Sequence, residues 1–380
     1  MKNKKYILRT VKILSLLLAL VVCIGFLQEY VLCHSDHNRE RVFGFYLEPR
    51  NSVDVILIGA SEVYADYAAG YAYEKYGYTS YPIATQSNII QNYKTQVKEA
   101  MRTQNPKLIV VEVNGALYGS NENIESEANL RNYSDNIPFN SNKVELVSNN
   151  ATSDRLEYYM TISKYHSVWK DFPKGLGWTR TLLQDKLRGY TYLKGAKSKT
   201  AIYNTSKVNN YNSTLKNDNK TKNLNPTSEQ YFREFLDFCK SENLDNVVFV
   251  RFPHVVTKET YDRFHRSNEI GNIIAEYGYD YINCEKDFED TGIDISKDFY
   301  NAEHLNAYGQ RHFTEYLGQI IRDRYLKADS DLDATQKERW DTSAKYYDAY
   351  YKYNVDLLES GKCKQVSEYY SELKEIEKYL

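Results

Sequence analysis

Three short apolar runs constrain this chain more than any other feature. Residues 53–58, 107–113 and 246–250 are rich in Val, Ile and Leu, and the first is followed at once by Gly59. Each is too short for a core helix and too apolar for a strand with one wet face, so each reads as a strand buried on both sides. The stretches between the first runs are helical in character. Residues 63–76 form one such stretch and a short strand follows over 79–83. Ile89, Ile90, Tyr93, Val97 and Met101 then mark a second helix over 88–103, ended by Asn105 and Pro106. Strand, helix, strand, helix, strand, joined by right-handed crossovers, predicts an α/β fold with a parallel sheet covered by helices on both faces.

The pattern lapses between about 120 and 225, where Asn, Ser, Lys and Tyr dominate. Amphipathic patches over 156–169 and 181–192 make this a helical and loop insertion, with 200–225 expected as an exposed loop. The alternation then resumes. Thr227 and Gln230 have capping-box spacing and open a helix to about Ser241. Residues 246–250 are a strand, 257–277 a helix ended by Gly278, 280–283 the last strand and 306–326 the closing helix. Residues 327–380 are polar and helical in character, a C-terminal appendage with Trp340, Tyr346, Tyr347, Tyr350 and Tyr351 as packing points. The α/β domain is thus expected over 53–326.

The N-terminus has another character. Lys2, Lys4, Lys5, Arg9 and Lys12 make residues 1–12 basic, and the run that follows is apolar to Leu27 and extends past a polar patch to Cys33. Residues 13–33 read as a single transmembrane anchor, with Lys12 reaching the interface. The basic flank puts the N-terminus in the cytoplasm and the body outside. A cleaved signal peptide is the competing reading, but no small-x-small site follows the run. A buried core helix is the third, and nothing else in the chain is so apolar. Residues 34–52 are expected as a juxtamembrane linker.

Bulk composition narrows the function. A net charge of −2 gives no general attraction to nucleic acid or to anionic membrane. The 37 tyrosines suit cores, wet interfaces and sugar-stacking surfaces alike. Five cysteines (Cys23, Cys33, Cys239, Cys284 and Cys363) are widely spaced with no C-x-x-C, which disfavours zinc and redox motifs and leaves one disulfide open. There is no H-E-x-x-H, P-loop or dinucleotide glycine pattern, so no metal and no cofactor is expected.

Two clusters carry chemistry. In the first, Ser61 follows Gly59 and Ala60 where a buried strand turns into a helix, the edge where open parallel sheets build sites. Free N–H groups and the positive helix end there favour a developing oxyanion, although an N-cap Ser is the ordinary occupant of such a turn. In the second, His304 precedes the closing helix, with Asp298, Asn301 and Glu303 close by in sequence. A His from that loop, brought to the first strand's end, would take the Ser61 proton and return it to a leaving group. His254, after Arg251 at a strand end, is a candidate for the same cleft; His166 is a packing or contact residue, and His265 and His312 sit on helices.

Gly59-x-Ser61 near the start and His304-Leu-Asn-x-x-Gly309 near the end, in this order and spacing, resemble the SGNH/GDSL hydrolase superfamily. Residues 45–59 and the Tyr165-His166-Ser-Val-Trp169 stretch are similar to its singly anchored extracytoplasmic branch of DltD-like and alginate-acetylation-type proteins, over about residues 43–326. The resemblance implies a three-layer flavodoxin-like domain, with Ser61 as nucleophile and His304 as base. It implies an acyl-Ser61 intermediate on acyl esters of cell-wall or exopolysaccharide sugars, and a membrane-bound O-acyltransferase as partner. The chain departs from the pattern at Asn301, where the family has Asp three residues before the His. Asn301 can fix the tautomer but supplies no charge. Asp298 or Glu303 would substitute, or a Ser-His dyad would operate. For the oxyanion or substrate, Asn114 and Gln86 are the candidates. The alternative function is a catalytically impaired envelope protein that binds polysaccharide or scaffolds a partner.

Overall fold

The computed structural model describes residues 2–33, 37–361 and 369–380. Its centre is a sheet of five parallel strands: β1 (Val55–Gly59), β2 (Ser80–Ala84), β3 (Leu108–Glu112), β4 (Val247–Arg251) and β5 (Asp280–Asn283). Their order is β2-β1-β3-β4-β5, so the winding reverses beside β1. A separate two-stranded hairpin, β6 (Phe299–Asn301) and β7 (His304–Leu305), was not anticipated from the sequence.

Alternation along the strands builds two cores. Ile56, Ile58, Ile109, Val111 and Phe249 face one way, Val55, Leu57, Val110, Val248 and Val250 the other. The first face packs α2 (His37–Phe45), and α3 (Ser61–Asp66) and α4 (Ala69–Tyr76) cover the second. On the first face lie also α5 (Tyr93–Thr103), α6 (Pro226–Ser241) and α7 (Tyr261–Glu276). On the second lie α8 (Ala307–Ile320) and α9 (Ala334–Ser360).

Several local expectations are corrected. The helix expected over 63–76 is two, broken at Tyr67. That residue is extended so that its hydroxyl meets those of Tyr78 at 3.0 Å and Ser80 at 2.9 Å, while the Ala68 N–H bonds Thr314 Oγ1 at 3.0 Å. Residues 37–45, expected as linker, form the buried α2. Its polar groups find internal partners: Arg41 Nε donates to the Ala84 carbonyl at 3.0 Å, and Arg39 Nη1 to that of Asn136 at 3.1 Å. The α6 cap is Asn225, whose Oδ1 accepts the Thr227 N–H at 2.9 Å, with Pro226 in the first turn; the capping box expected at Thr227 does not form. Part of the loop 200–225 is pinned down. Tyr203 N–H bonds the Phe299 carbonyl at 2.7 Å, Asn212 bridges His254 and Val256, and Leu215 is buried on Val256 and Phe264.

The C-terminal α9 opens on a capping box between Asp333 and Gln336 and buries Trp340, whose ring lies 5.3 Å from that of Tyr73. At the other end, α1 (Lys2–Phe26) continues through a turn to Val31. It is exposed, and among the described residues it is the one helix long and apolar enough to cross a membrane. Its end touches the body: Thr179 Oγ1 donates to the Tyr30 carbonyl at 2.6 Å, Gln28 to that of Tyr159 at 3.1 Å, and Arg39 pairs with Glu29 at 2.6 Å. Cys23, Cys33, Cys239 and Cys284 are free thiols; Cys363 and the Trp169 side chain lie outside the described residues.

Candidate active site

The turn after β1 is built for close approach. Gly59 has φ +152°, and a Cβ there would lie 2.7 Å from both Glu112 Cβ and Val63 Cγ2. Ala60 takes the N-cap position without a capping side chain, and Ser61 begins α3. The Ser61 hydroxyl is therefore not spent on capping its own helix, the ordinary fate of a serine at such a turn.

His304 reaches it from the β6–β7 hairpin. His304 Nε2 lies 2.7 Å from Ser61 Oγ, and His304 Nδ1 lies 3.1 Å from Asn301 Oδ1. The same oxygen accepts the backbone N–H groups of Glu303 at 2.9 Å and His304 at 2.8 Å. Two obligate donors fix that atom as the carboxamide oxygen, so His304 Nδ1 must carry the proton and Nε2 is the acceptor facing the hydroxyl. The hairpin is held by Asp66, whose Oδ1 accepts the Leu305 N–H at 2.9 Å. Burial holds the His304 imidazole below its ordinary pKa; the Glu62 carboxylate opposes this and the Lys199 ammonium adds to it.

Behind the pair lies a buried polar network. Glu62 Oε2 is 3.4 Å from Ser61 Oγ, and Glu62 Oε1 accepts from Asn114 Nδ2 at 2.6 Å and approaches His254 Nε2 at 3.5 Å. Asn114 Oδ1 accepts from Arg251 Nη1 at 2.9 Å, and its backbone N–H bonds Glu112 Oε1 at 2.7 Å. Glu285 Oε1 takes Arg251 Nη2 at 2.8 Å and His254 Nδ1 at 3.1 Å. Burial would push Glu62 up, but the His254 hydrogen bond and the charges of His304 and His254 outweigh it and keep the carboxylate ionised. Burial and the neighbouring Glu62 charge push Glu112 up, so the second carboxyl of the cluster keeps its proton. Burial and Arg251 act to lower the His254 pKa, but its bonds to Glu285 and Glu62 dominate and raise it to about 9.

Asn114 therefore bridges Glu62 and Arg251. Gln86 is exposed; its hydrogen bonds are backbone ones, its N–H to Asn38 Oδ1 at 2.8 Å and its carbonyl from Asn132 at 2.8 Å, and none reaches Ser61. Asp298 does not stand in for the missing carboxylate. Its Oδ2 accepts the Asp294 N–H at 2.9 Å and meets His312 Nδ1 at 2.7 Å, so its partner is His312 and not His304. Glu303 is likewise engaged elsewhere, with Arg263 at 2.6 Å. His254 is buried behind Glu62, His265 meets Asp218 at 3.2 Å, and the exposed His166 meets the Ser163 carbonyl at 2.7 Å. Among the described residues no group of His, Cys, Asp and Glu is arranged to hold a metal ion.

Sequence reasoning gave no role to Glu62, Glu112, Arg251 or Glu285. The available signal was a charged residue closing or following the apolar runs: Glu112 and Arg251 end β3 and β4, and Glu285 lies two residues beyond β5. No family model matches the chain, and no curated protein and no solved structure matches it.

Proposed function

We propose that the chain is a serine esterase or O-acyltransferase of SGNH/GDSL type, working through an acyl-Ser61 intermediate. The observation that carries this reading is the relay Ser61 Oγ, His304 Nε2, His304 Nδ1, Asn301 Oδ1, with steps of 2.7 and 3.1 Å and the tautomer fixed. The strand order β2-β1-β3-β4-β5, which is that of flavodoxin-like folds, and a Ser at the carboxyl end of β1 beside the reversal support it further.

In the reaction, His304 Nε2 takes the hydroxyl proton as Ser61 Oγ bonds to the acyl carbonyl carbon. The oxyanion meets the N–H groups that the first turn of α3 leaves without helical partners. Collapse breaks the ester C–O bond, and the alcohol leaves with the proton from Nε2. Water or a sugar hydroxyl then gives its proton to Nε2 and bonds to the acyl carbon; the acyl C–Oγ bond breaks, and Nε2 returns the proton to Ser61 Oγ. With α1 as a single-pass anchor and its basic end inside, the body faces outwards, so acylated envelope polysaccharide is the proposed substrate class. A membrane-bound O-acyltransferase is the proposed partner.

The test uses the full-length protein in detergent micelles, treated with a fluorophosphonate or p-nitrophenyl acetate beside Ser61→Ala and His304→Ala. An adduct on Ser61 by mass, absent in both variants, is the expected result. No adduct on folded protein favours a second reading, an envelope glycan-binding or scaffold protein. The observation behind that reading is that no carboxylate among the described residues bonds His304 Nδ1, its partner being the neutral Asn301.

A further inference from the structure

Single apolar side chains on a surface are ordinary, but on this body they collect in one place. Beyond residue 27, nine large apolar side chains are exposed among the described residues. Six of them lie between 139 and 187: Phe139, Val144, Leu156, Met160, Leu176 and Leu187. The same insertion holds the end of α1. Tyr159, whose carbonyl accepts from Gln28 at 3.1 Å, directly precedes Met160, and its ring lies 5.5 Å from that of Phe139. Thr179, whose hydroxyl donates to the Tyr30 carbonyl at 2.6 Å, belongs to the helix Phe172–Arg188 that carries Leu176 and Leu187.

That helix has two unlike faces. Trp178, Leu182 and Asp185 are buried at helical spacing, and Leu182 packs on Cys33 and Phe43 just beyond the end of α1. Leu176, Arg180 and Leu187 share the opposite stripe with the half-buried Leu183; the first three are exposed, Leu187 at 88%. Lys186 is exposed beside Leu187. Leucines flanked by cations are the pattern of a helix that lies in a membrane interface. Charge agrees. Residues 155–188 hold seven Lys and Arg against three Asp and Glu, in a chain whose net charge is −2. Level agrees too. The apolar run of α1 ends at Leu27, and the body grips it at Gln28, Glu29 and Tyr30, where hydrocarbon would give way to headgroups. From Thr179, Leu176 is about 4.5 Å along the helix and Leu187 about 12 Å.

We propose that the insertion is a bilayer-contacting surface: Leu176 and Leu187, with Phe139, Leu156 and Met160 on the other side of the anchor's exit, enter the boundary between headgroups and acyl chains, and Arg180 and Lys186 meet anionic headgroups. The occupant is lipid because the face continues directly from a helix apolar enough to cross a membrane and adds positive charge to apolar area. The inference rests on α1 as the anchor and is independent of the serine-ester reading.

The test places the full-length protein, one copy per disc, in nanodiscs of phosphatidylcholine and phosphatidylglycerol. In separate preparations a polarity-sensitive dye is carried on a genetically encoded ketone side chain at position 176, 187, 202 or 22. Lipids bearing a nitroxide on the acyl chain supply the quencher. Position 202 is an exposed control outside the insertion, and position 22 reports α1 alone. Quenching at 176 and 187 is expected to exceed that at 202 by about twofold or more, and Arg180→Glu with Lys186→Glu should weaken it. Quenching at 22 with none above the control at 176 and 187 overturns the surface and leaves the anchor. Quenching at 176 and 187 without any at 22 removes the anchor and leaves the surface. A blue-shifted but unquenched dye at 187 means that protein covers the stripe, and overturns the surface as well. Quenching unchanged by the two charge reversals overturns the role of Arg180 and Lys186.

Discussion

Asn301 does with one oxygen what a carboxylate would do with two: it takes the Nδ1–H of His304 and two backbone N–H groups of its own turn. What it does not give is charge for the imidazolium that would form in the proposed reaction as Ser61 is deprotonated. Asn301→Asp keeps an acceptor for all three donors and adds that charge, so kcat toward p-nitrophenyl acetate is expected to rise about tenfold or more. The pH profile provides the sign. Burial lowers the His304 pKa, so the acid limb of kcat/KM for the wild type lies below the ordinary imidazole value of about 6.5. Asn301→Asp should move that limb upward; a limb that stays put would separate Asn301 from the titrating base. Ser61 and His304 were legible from the sequence because each sits in a short local pattern, a Gly-x-Ser after a strand and a His before a helix. Glu62, Glu112, Arg251 and Glu285 were not, because a charged residue at the end of an apolar run looks like a strand reaching solvent. Only the convergence of β1, β3, β4 and β5 at one edge buries all four, and that is a long-range property.

At the scale of elements, the apolar runs predicted the strands well because each is buried on both faces and its residues have no other use. One element was misjudged for the opposite reason. Helix α2 reads as a polar linker because its stability comes from specific partners, Arg41 with Ala84 and Arg39 with Asn136, rather than from an apolar stripe. Helix α9 was expected as a helical appendage lying against the domain, with Trp340, Tyr347 and Tyr350 among its packing points, and those three are buried. It is part of the fold: Trp340 is 1% exposed and lies between Tyr73 and Lys194, the latter at 4.5 Å from its ring. Trp340→Ala should cost about 3–5 kcal/mol in denaturant unfolding, the range for a large aromatic removed from a core. A loss below about 1 kcal/mol would mean that α9 is peripheral after all.

At the scale of the molecule, the buried network ties stability to pH. Glu285 is lowered to about 2 despite burial, chiefly by Arg251, and His254 is raised to about 9. The Glu285 contribution is present above its unfolded pKa of about 4.3 and is lost as pH falls through the folded value. The His254 contribution is complete below its unfolded pKa of about 6.5 and fades as pH rises through the folded value. The thermal midpoint should therefore be highest between about pH 4.3 and 6.5 and fall towards pH 9, and His254→Gln should flatten the alkaline fall. Truncation tests the inclusion of α2: a chain starting at residue 34 should remain folded, whereas one starting at residue 53 should lose cooperative unfolding, since it lacks Val42, Phe45 and Arg41.

The docking of the end of α1 against the body through Thr179, Gln28 and Arg39 has a geometric consequence. With α1 as the anchor, only residues 32–36 separate its terminal turn from α2, at most about 18 Å of fully extended chain. There is no leash on which the domain can range. It would sit on the bilayer like a foot on the floor, and its working radius would be its own thickness. Acyl groups borne on envelope polymers would have to be served close to the membrane, at or soon after their attachment, and those far out along a polymer would lie beyond its reach.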